Sequence, residues 1–279
     1  MSSSLRIVIL SDNQAEPGFV AEHGFAMLIE MDRRRILFDC GKDPSVLAAN
    51  ADADGVDLSS VNALVLSHGH YDHTGGIPYL LELKPTLPVY CHPGIRQTRY
   101  SIRDATPKDI SVPPESSHAL DHMPRENLHF VEGPLQLSKN LLLSGPIPRQ
   151  TDYEDTGGPF FLDTSALQAD PLNDELVLLC SLAEGIVVCT GCSHSGIVNI
   201  LHWTRKRFPK QDILAVVGGF HLCNASEERM QKTFDALQKL PVRQWIPCHC
   251  TGEAATDAFL KEFPGKACTG AAGLHLRFF

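Results

Sequence analysis

The sequence predicts an α/β fold: one domain over residues 1–279, with two sheets packed together and helices outside. Three observations lead there. Short apolar runs recur between Gly, Asp and Asn turns. Strand-like and helix-like periods occur in both halves of the chain. No low-complexity tract, fixed-period repeat or linker divides it. A chain of 279 residues with 43% hydrophobic and 20% charged residues also has the composition of an ordinary globular core.

The elements follow in order. LRIVIL, FAMLIE, ILFD and ALVLS read as strands, and Pro44 to Asn50 as a helix with proline in its first turn. Gly75 to Leu83 suggests a helix and Pro88 to Cys91 a strand. Residues 93–135 are polar and proline-dotted, and are expected to form a long excursion over the active face. ELVLLCSL and IVVCT are two strands about the turn at Glu184 and Gly185. Ile197, Ile200, Leu201 and Phe208 share a helical face, ILAVV is a strand, and Ser226 caps a helix carrying Met230, Phe234, Leu237 and Leu240 inward. WIPC is a strand, GEAATDAFLKEF a helix and LHLRFF a closing strand.

Chemistry concentrates at LSHGHYDHTGG, where His68, His70, Asp72 and His73 follow an apolar strand. In extended backbone His68 and His70 point to the same side and can bind one metal. Asp72 and His73 can face a second ion, with Gly75 and Gly76 permitting a tight bend. Imidazole with carboxylate suits zinc, iron or manganese. His194, His221 and His249 each lie just past a later apolar strand, the end at which open α/β architectures place their ligands. Asp39 can fix an imidazole tautomer from behind. Cys189 and Cys192 form a C-x-x-C, read here as structural because Cys189 belongs to a buried strand. Cys248 and Cys250 are expected to turn away from His249 by strand alternation.

HGHYDH matches the HxHxDH signature of the metallo-β-lactamase superfamily, and FDCG resembles the element that precedes it. EHGFAMLIE, SGPIPR, TGCSHSGIVNI, VVGGFHL and PCHCTG are similar to the branch of 7,8-dihydropterin-6-yl-methyl-4-(β-D-ribofuranosyl)aminobenzene 5′-phosphate synthases. The resemblance implies an αββα sandwich with two divalent ions, zinc first. It places His68 and His70 on one ion, and Asp72, His73 and His249 on the other. The usual third histidine and bridging aspartate are replaced by SGPIPR and by Gly191-Cys192. His194 is the candidate for the vacant place, and Cys192 the alternative bridging donor.

The expected activity is that of a metal-dependent hydrolase, phosphoesterase-like, using metal-activated water on a small phosphorylated or pterin-like molecule. Asp72 and His221 are the catalytic candidates, and Arg149 and His221 the substrate contacts. Alternatives are a transferase joining a dihydropterin to ribofuranosylaminobenzene 5′-phosphate, or a metal-dependent sensor with vestigial activity. Net charge is −9 without a basic stripe, which argues against nucleic acid as a partner. No apolar run approaches the roughly 20 residues of a membrane span. Nine cysteines without a secretory pattern point to reduced thiols and a cytoplasmic location. A homodimer is compatible with the sequence.

Overall fold

The computed structural model describes residues 4–279. In chain order it contains β1 (Leu5–Ser11), β2 (Ala26–Met31), β3 (Arg34–Phe38), α1 (Pro44–Asp54), β4 (Ala63–Val65), α2 (Tyr71–Thr74), α3 (Ile77–Leu83) and β5 (Val89–Cys91). Next come β6 (Tyr100–Arg103), β7 (Thr106–Asp109), α4 (Pro114–His122), β8 (Leu128–Phe130), β9 (Leu135–Ser138), β10 (Leu141–Leu143) and β11 (Phe160–Phe161). The last part runs β12 (Leu178–Leu182), β13 (Gly185–Thr190), α5 (Ile197–Arg207), β14 (Ile213–Gly219), α6 (Glu227–Leu237), β15 (Val242–Cys248), α7 (Glu253–Glu262) and β16 (His275–Phe278).

The strands form a seven-stranded sheet, β16-β1-β2-β3-β4-β5-β8, and a six-stranded sheet, β15-β14-β13-β12-β10-β9. Alternation along each strand then fills three layers of core. Ile7, Ile9, Met27 and Ile29 of the first sheet meet Leu141, Leu178, Val187 and Val217 of the second between the sheets. Val8, Leu28, Leu37 and Leu64 face outward onto Leu47 and Ala51 of α1 and onto α3. Leu179, Val188 and Val216 face outward onto Ile197, Ile200, Phe234 and Phe259 of the other three long helices. The result is the expected αββα sandwich. Ser226 caps α6 through Arg229 N at 3.2 Å, as the sequence signal predicted, and α1, with its expected first-turn proline, is capped by Asp43 through Ser45 N at 2.8 Å.

Two departures matter for the site. The segment 93–135 is only partly an excursion. The β6–β7 hairpin joins β11 in a small separate sheet, whereas α4 packs in the outer apolar layer and β8 extends the first sheet's edge. Its short, proline-interrupted strands hid that pairing. A second irregular stretch, residues 144–176, lies against the same face. Gly75 and Gly76 are not bends in left-handed backbone. A Cβ on Gly75 would lie 1.9 Å from the Lys42 carbonyl oxygen, so close approach is what requires glycine there.

Candidate metal centre

β4 is parallel to β3 and β5, and β13 to β14 and β15. Their C-terminal ends therefore open on one side of the sandwich, and the chemistry-bearing turns gather there. Four of those turns hold a non-glycine residue at positive φ: Asp39 (59°), Ser193 (59°), His221 (46°) and His249 (46°). Such backbone is costly for residues with a Cβ and persists where the surroundings over-determine it.

The first group is His68, His70 and His194. His68 Nε2 lies 2.9 Å from His70 Nδ1 and 3.2 Å from His194 Nε2, all buried. The tautomers follow from the partners. Ser67 Oγ donates its one proton to Asp39 Oδ2 (2.6 Å), so at 2.8 Å it accepts from His68 Nδ1. His194 Nδ1 donates to the Thr156 carbonyl at 2.7 Å. Both leave an Nε2 lone pair aimed at the cluster. Burial above all, with neighbouring imidazoles contributing to His68 and His194, holds the three rings well below the usual histidine range and so uncharged.

The second group is Asp72, His73 and His249. His73 Nδ1 donates to Asp39 Oδ2 at 2.7 Å, which turns its Nε2 toward Cys192 Sγ at 3.2 Å. His249 Nδ1 donates to Asn13 Oδ1 at 2.8 Å, and its Nε2 lies 3.4 Å from Asp72 Oδ2. Burial would raise Asp72, but hydrogen bonds from His23 and His249 outweigh it and hold the carboxyl well below its usual range. Burial would lower His249, yet Asp72, Cys250 and Asp12 around it push it up to about 9. Those surroundings attract a cation as they attract the proton.

Cys192 stands between the groups. Its Sγ lies within 4.8 Å of donors of His68 and His194, and of donors of His73 and His249. The sequence left it second to His194, whereas the structure brings both in. A further set, Cys192, His221 and Cys250, meets the same limit. Cys250 corrects an expectation, because strand alternation stops at Cys248. His249–Thr251 is a 3₁₀ turn, and it swings the Cys250 thiol into the cavity while Cys248 stays in the core. Burial and a bond to Cys250 raise the Cys192 thiol, and Cys250 is held low by Cys192 and His221 against its own burial.

Of these residues His70, Asp72, Cys192, His221, His249 and Cys250 floor a cavity of about 640 Å³, whereas the fully buried His68, His73 and His194 do not line it. Ser101, Arg103, Thr106 and Lys108 of the β6–β7 hairpin face it, with Tyr71, Phe160 and Asn224 around them. Lys108 Nζ sits 4.8 Å from the centre of the Tyr71 ring and 3.1 Å from its hydroxyl. His221 lines the cavity. Arg149 does not. Its guanidinium donates to the His194 carbonyl and, at 2.7 Å, to the Pro171 carbonyl, so it braces the His194 turn rather than meeting a ligand. His92, His118, His122 and His129 also stay outside the cavity.

Several residues that sequence reasoning missed hold this floor in place. Glu175, fully buried, accepts from His194 N (2.5 Å) and Ser195 N (2.7 Å). Arg99 is buried in ion pairs with Asp170 (2.8 Å) and Asp174 (2.7 Å), and Asp174 also accepts from Gly69 N at 2.9 Å between His68 and His70. His23, half-exposed at the mouth, reaches Asp72 Oδ2 at 3.1 Å. It lies within the EHGFAMLIE motif, which was its one signal.

The family model of the metallo-beta-lactamase superfamily matches residues 20–198. An uncharacterized protein of Methanocaldococcus jannaschii is 34% identical over 252 residues, 88% of this chain and 90% of its own. The 7,8-dihydropterin-6-methyl-4-(beta-D-ribofuranosyl)-aminobenzene-5′-phosphate synthase of the same organism is 28% identical over 278 residues, 93% of this chain and 92% of its own. The crystal structure of Tm1679, described as a metal-dependent hydrolase of the beta-lactamase superfamily, superposes with a TM-score of 0.82 at 34% identity over 98% of each chain.

Proposed function

Since this chain belongs to the metallo-β-lactamase superfamily, we propose that it is a metal-dependent hydrolase that cleaves a phosphoester or related bond in a small anionic substrate. One observation carries the reading. Four imidazoles, those of His68, His73, His194 and His249, are each hydrogen-bonded at Nδ1 to an oxygen, leaving Nε2 toward the other donors of the cluster. Backing of this kind is how proteins orient histidines for a metal. The donor set fits two divalent ions, with His68, His70 and His194 on one side, Asp72, His73 and His249 on the other, and Cys192 between. Bound there, the ions would supply Lewis acidity and a nucleophile from water at neutral pH.

The chain's own groups would do the rest. Asp72, ionised and bonded to His23, is placed to orient the attacking water. His23, at the mouth, can pass a proton between Asp72 and solvent. Arg103 and Lys108 face the floor from the hairpin and would grip the substrate's anionic end, with Tyr71 and Phe160 lining the space between. His221 sits on the substrate side of the floor. No described helix is long and apolar enough to cross a membrane.

A second reading draws on the synthase relative, whose name includes a 5′-phosphate that the same two cations would accept. Metal-loaded protein assayed on phosphodiesters, phosphomonoesters, lactones and thioesters tests the first reading. Turnover on one class that disappears in His68→Ala is the expected result. Inactivity on all four, together with condensation of a dihydropterin and a ribofuranosylaminobenzene 5′-phosphate, would replace it with the second.

A further inference from the structure

Cys192, His221 and Cys250 are three buried donors whose ligand atoms lie within 4.8 Å of one another on the cavity floor. The two groups assigned above need only Cys192 of them. His221 is 8% exposed, and its Nδ1 is buried without a hydrogen-bond partner. Its backbone is held at φ 46°, so the ring is delivered to this place by strained chain. Room for the Cys250 thiol is made by a glycine. A Cβ on Gly219 would stand 2.5 Å from Cys250 Sγ. An imidazole set beside two thiols, with one ring nitrogen buried and unpartnered, is the unfinished side of a donor set.

We propose that Cys192, His221 and Cys250 form a third cation position, adjoining the first two and sharing Cys192 with them. Two thiolates and an imidazole select a thiophilic ion of the zinc class over magnesium or calcium. Tetrahedral zinc, with bonds of about 2.3 Å to sulfur and about 2.0–2.1 Å to nitrogen, sets its ligand atoms roughly 3.4–3.8 Å apart. The three donors, all within 4.8 Å of one another, lie near that spacing. All three residues line the cavity, so a fourth ligand would come from there. His221 is thereby a ligand, and meets substrate through the ion it holds. Cys192 links the positions into one cluster.

Zinc content after loading and desalting tests this, with Cys250→Ser and His221→Gln as variants and thermal melting as the check on folding. Each variant should hold one zinc equivalent fewer than the parent. Cobalt-loaded protein supplies a second reading. Its near-ultraviolet thiolate absorption should fall in Cys250→Ser and vanish in Cys192→Ser, while His68→Ala keeps the Cys250 contribution. Should the variants misfold, zinc in the parent protein should still shield Cys250 from iodoacetamide. Unchanged zinc content and cobalt absorption in both folded variants, or equal alkylation of Cys250 with and without zinc, would overturn the third position. A parent holding only two ions with turnover intact would remove it and leave the hydrolase reading standing. Three ions without turnover would do the reverse.

Discussion

The two halves of the centre solve the same problem with opposite electrostatics. His68, His70 and His194 are uncharged rings, and the two whose backing is visible lean on a hydroxyl and a carbonyl. Asp72, His73 and His249 are wrapped in carboxylates: Asp39 behind His73, Asp12 on the backbone of His249 at 2.8 Å, and Asp72 itself. The first half offers lone pairs at neutral pH with no proton to displace. The second offers a negative potential, but one of its rings is held protonated up to about 9. The halves should therefore differ in how they load, and substitutions can separate them.

The largest effect is expected from His68→Ala, which removes the central ring of the uncharged half. It should lose one metal equivalent and all turnover, while the carboxylate half still takes an ion; metal analysis beside activity reads both. Arg99→Met should come next, at about 3–5 kcal/mol of stability, because it leaves Asp170 and Asp174 buried without their cation. Urea unfolding measures that loss, and a change below about 1 kcal/mol would show that the ion pairs are not what anchors the Gly69 turn. Asp39→Asn should lower affinity for the ion on His73 by about 10–100-fold, with less effect on the other half, where Asp39 acts only through Ser67. Metal titration compares the two.

The smallest effect is a pH slope. An ion binding to His249 must displace its proton, so apparent affinity at that half should fall roughly tenfold for each pH unit below about 9. The neutral half should show no such slope near neutrality, since its rings already lie well below their usual range. Titrations at several pH values, following the tighter and the weaker ion separately, decide it. Equal slopes would erase the distinction.

Much of this was legible in the sequence because it is periodic or local. The apolar runs placed the strands of both main sheets, and HGHYDH with the three strand-end histidines located the floor. What escaped depends on contacts that no short window contains. Arg99 and Asp174 are 75 residues apart in the chain, and Gly69 and Asp174 105 apart, so neither carboxylate nor guanidinium announces its partner. Arg149 misled because it stands in a motif near the metal turns, yet its donors go to main-chain carbonyls. Cys250 misled because alternation was carried past the end of β15 into a 3₁₀ turn, where that rule does not hold. The β6–β7 hairpin, polar on the face that reads the cavity, had no core pattern to give it away.

That hairpin belongs to neither large sheet and pairs only with β11, so its own residues carry little of the main core. Arg99, the residue immediately before it, is moored to the same Asp174 that fixes the turn between His68 and His70. The wall of the cavity and the turn between His68 and His70 thus share one datum point. A new wall grafted downstream of Arg99 would arrive already aligned with the centre, whereas a graft that replaced Arg99 would have to find its alignment anew.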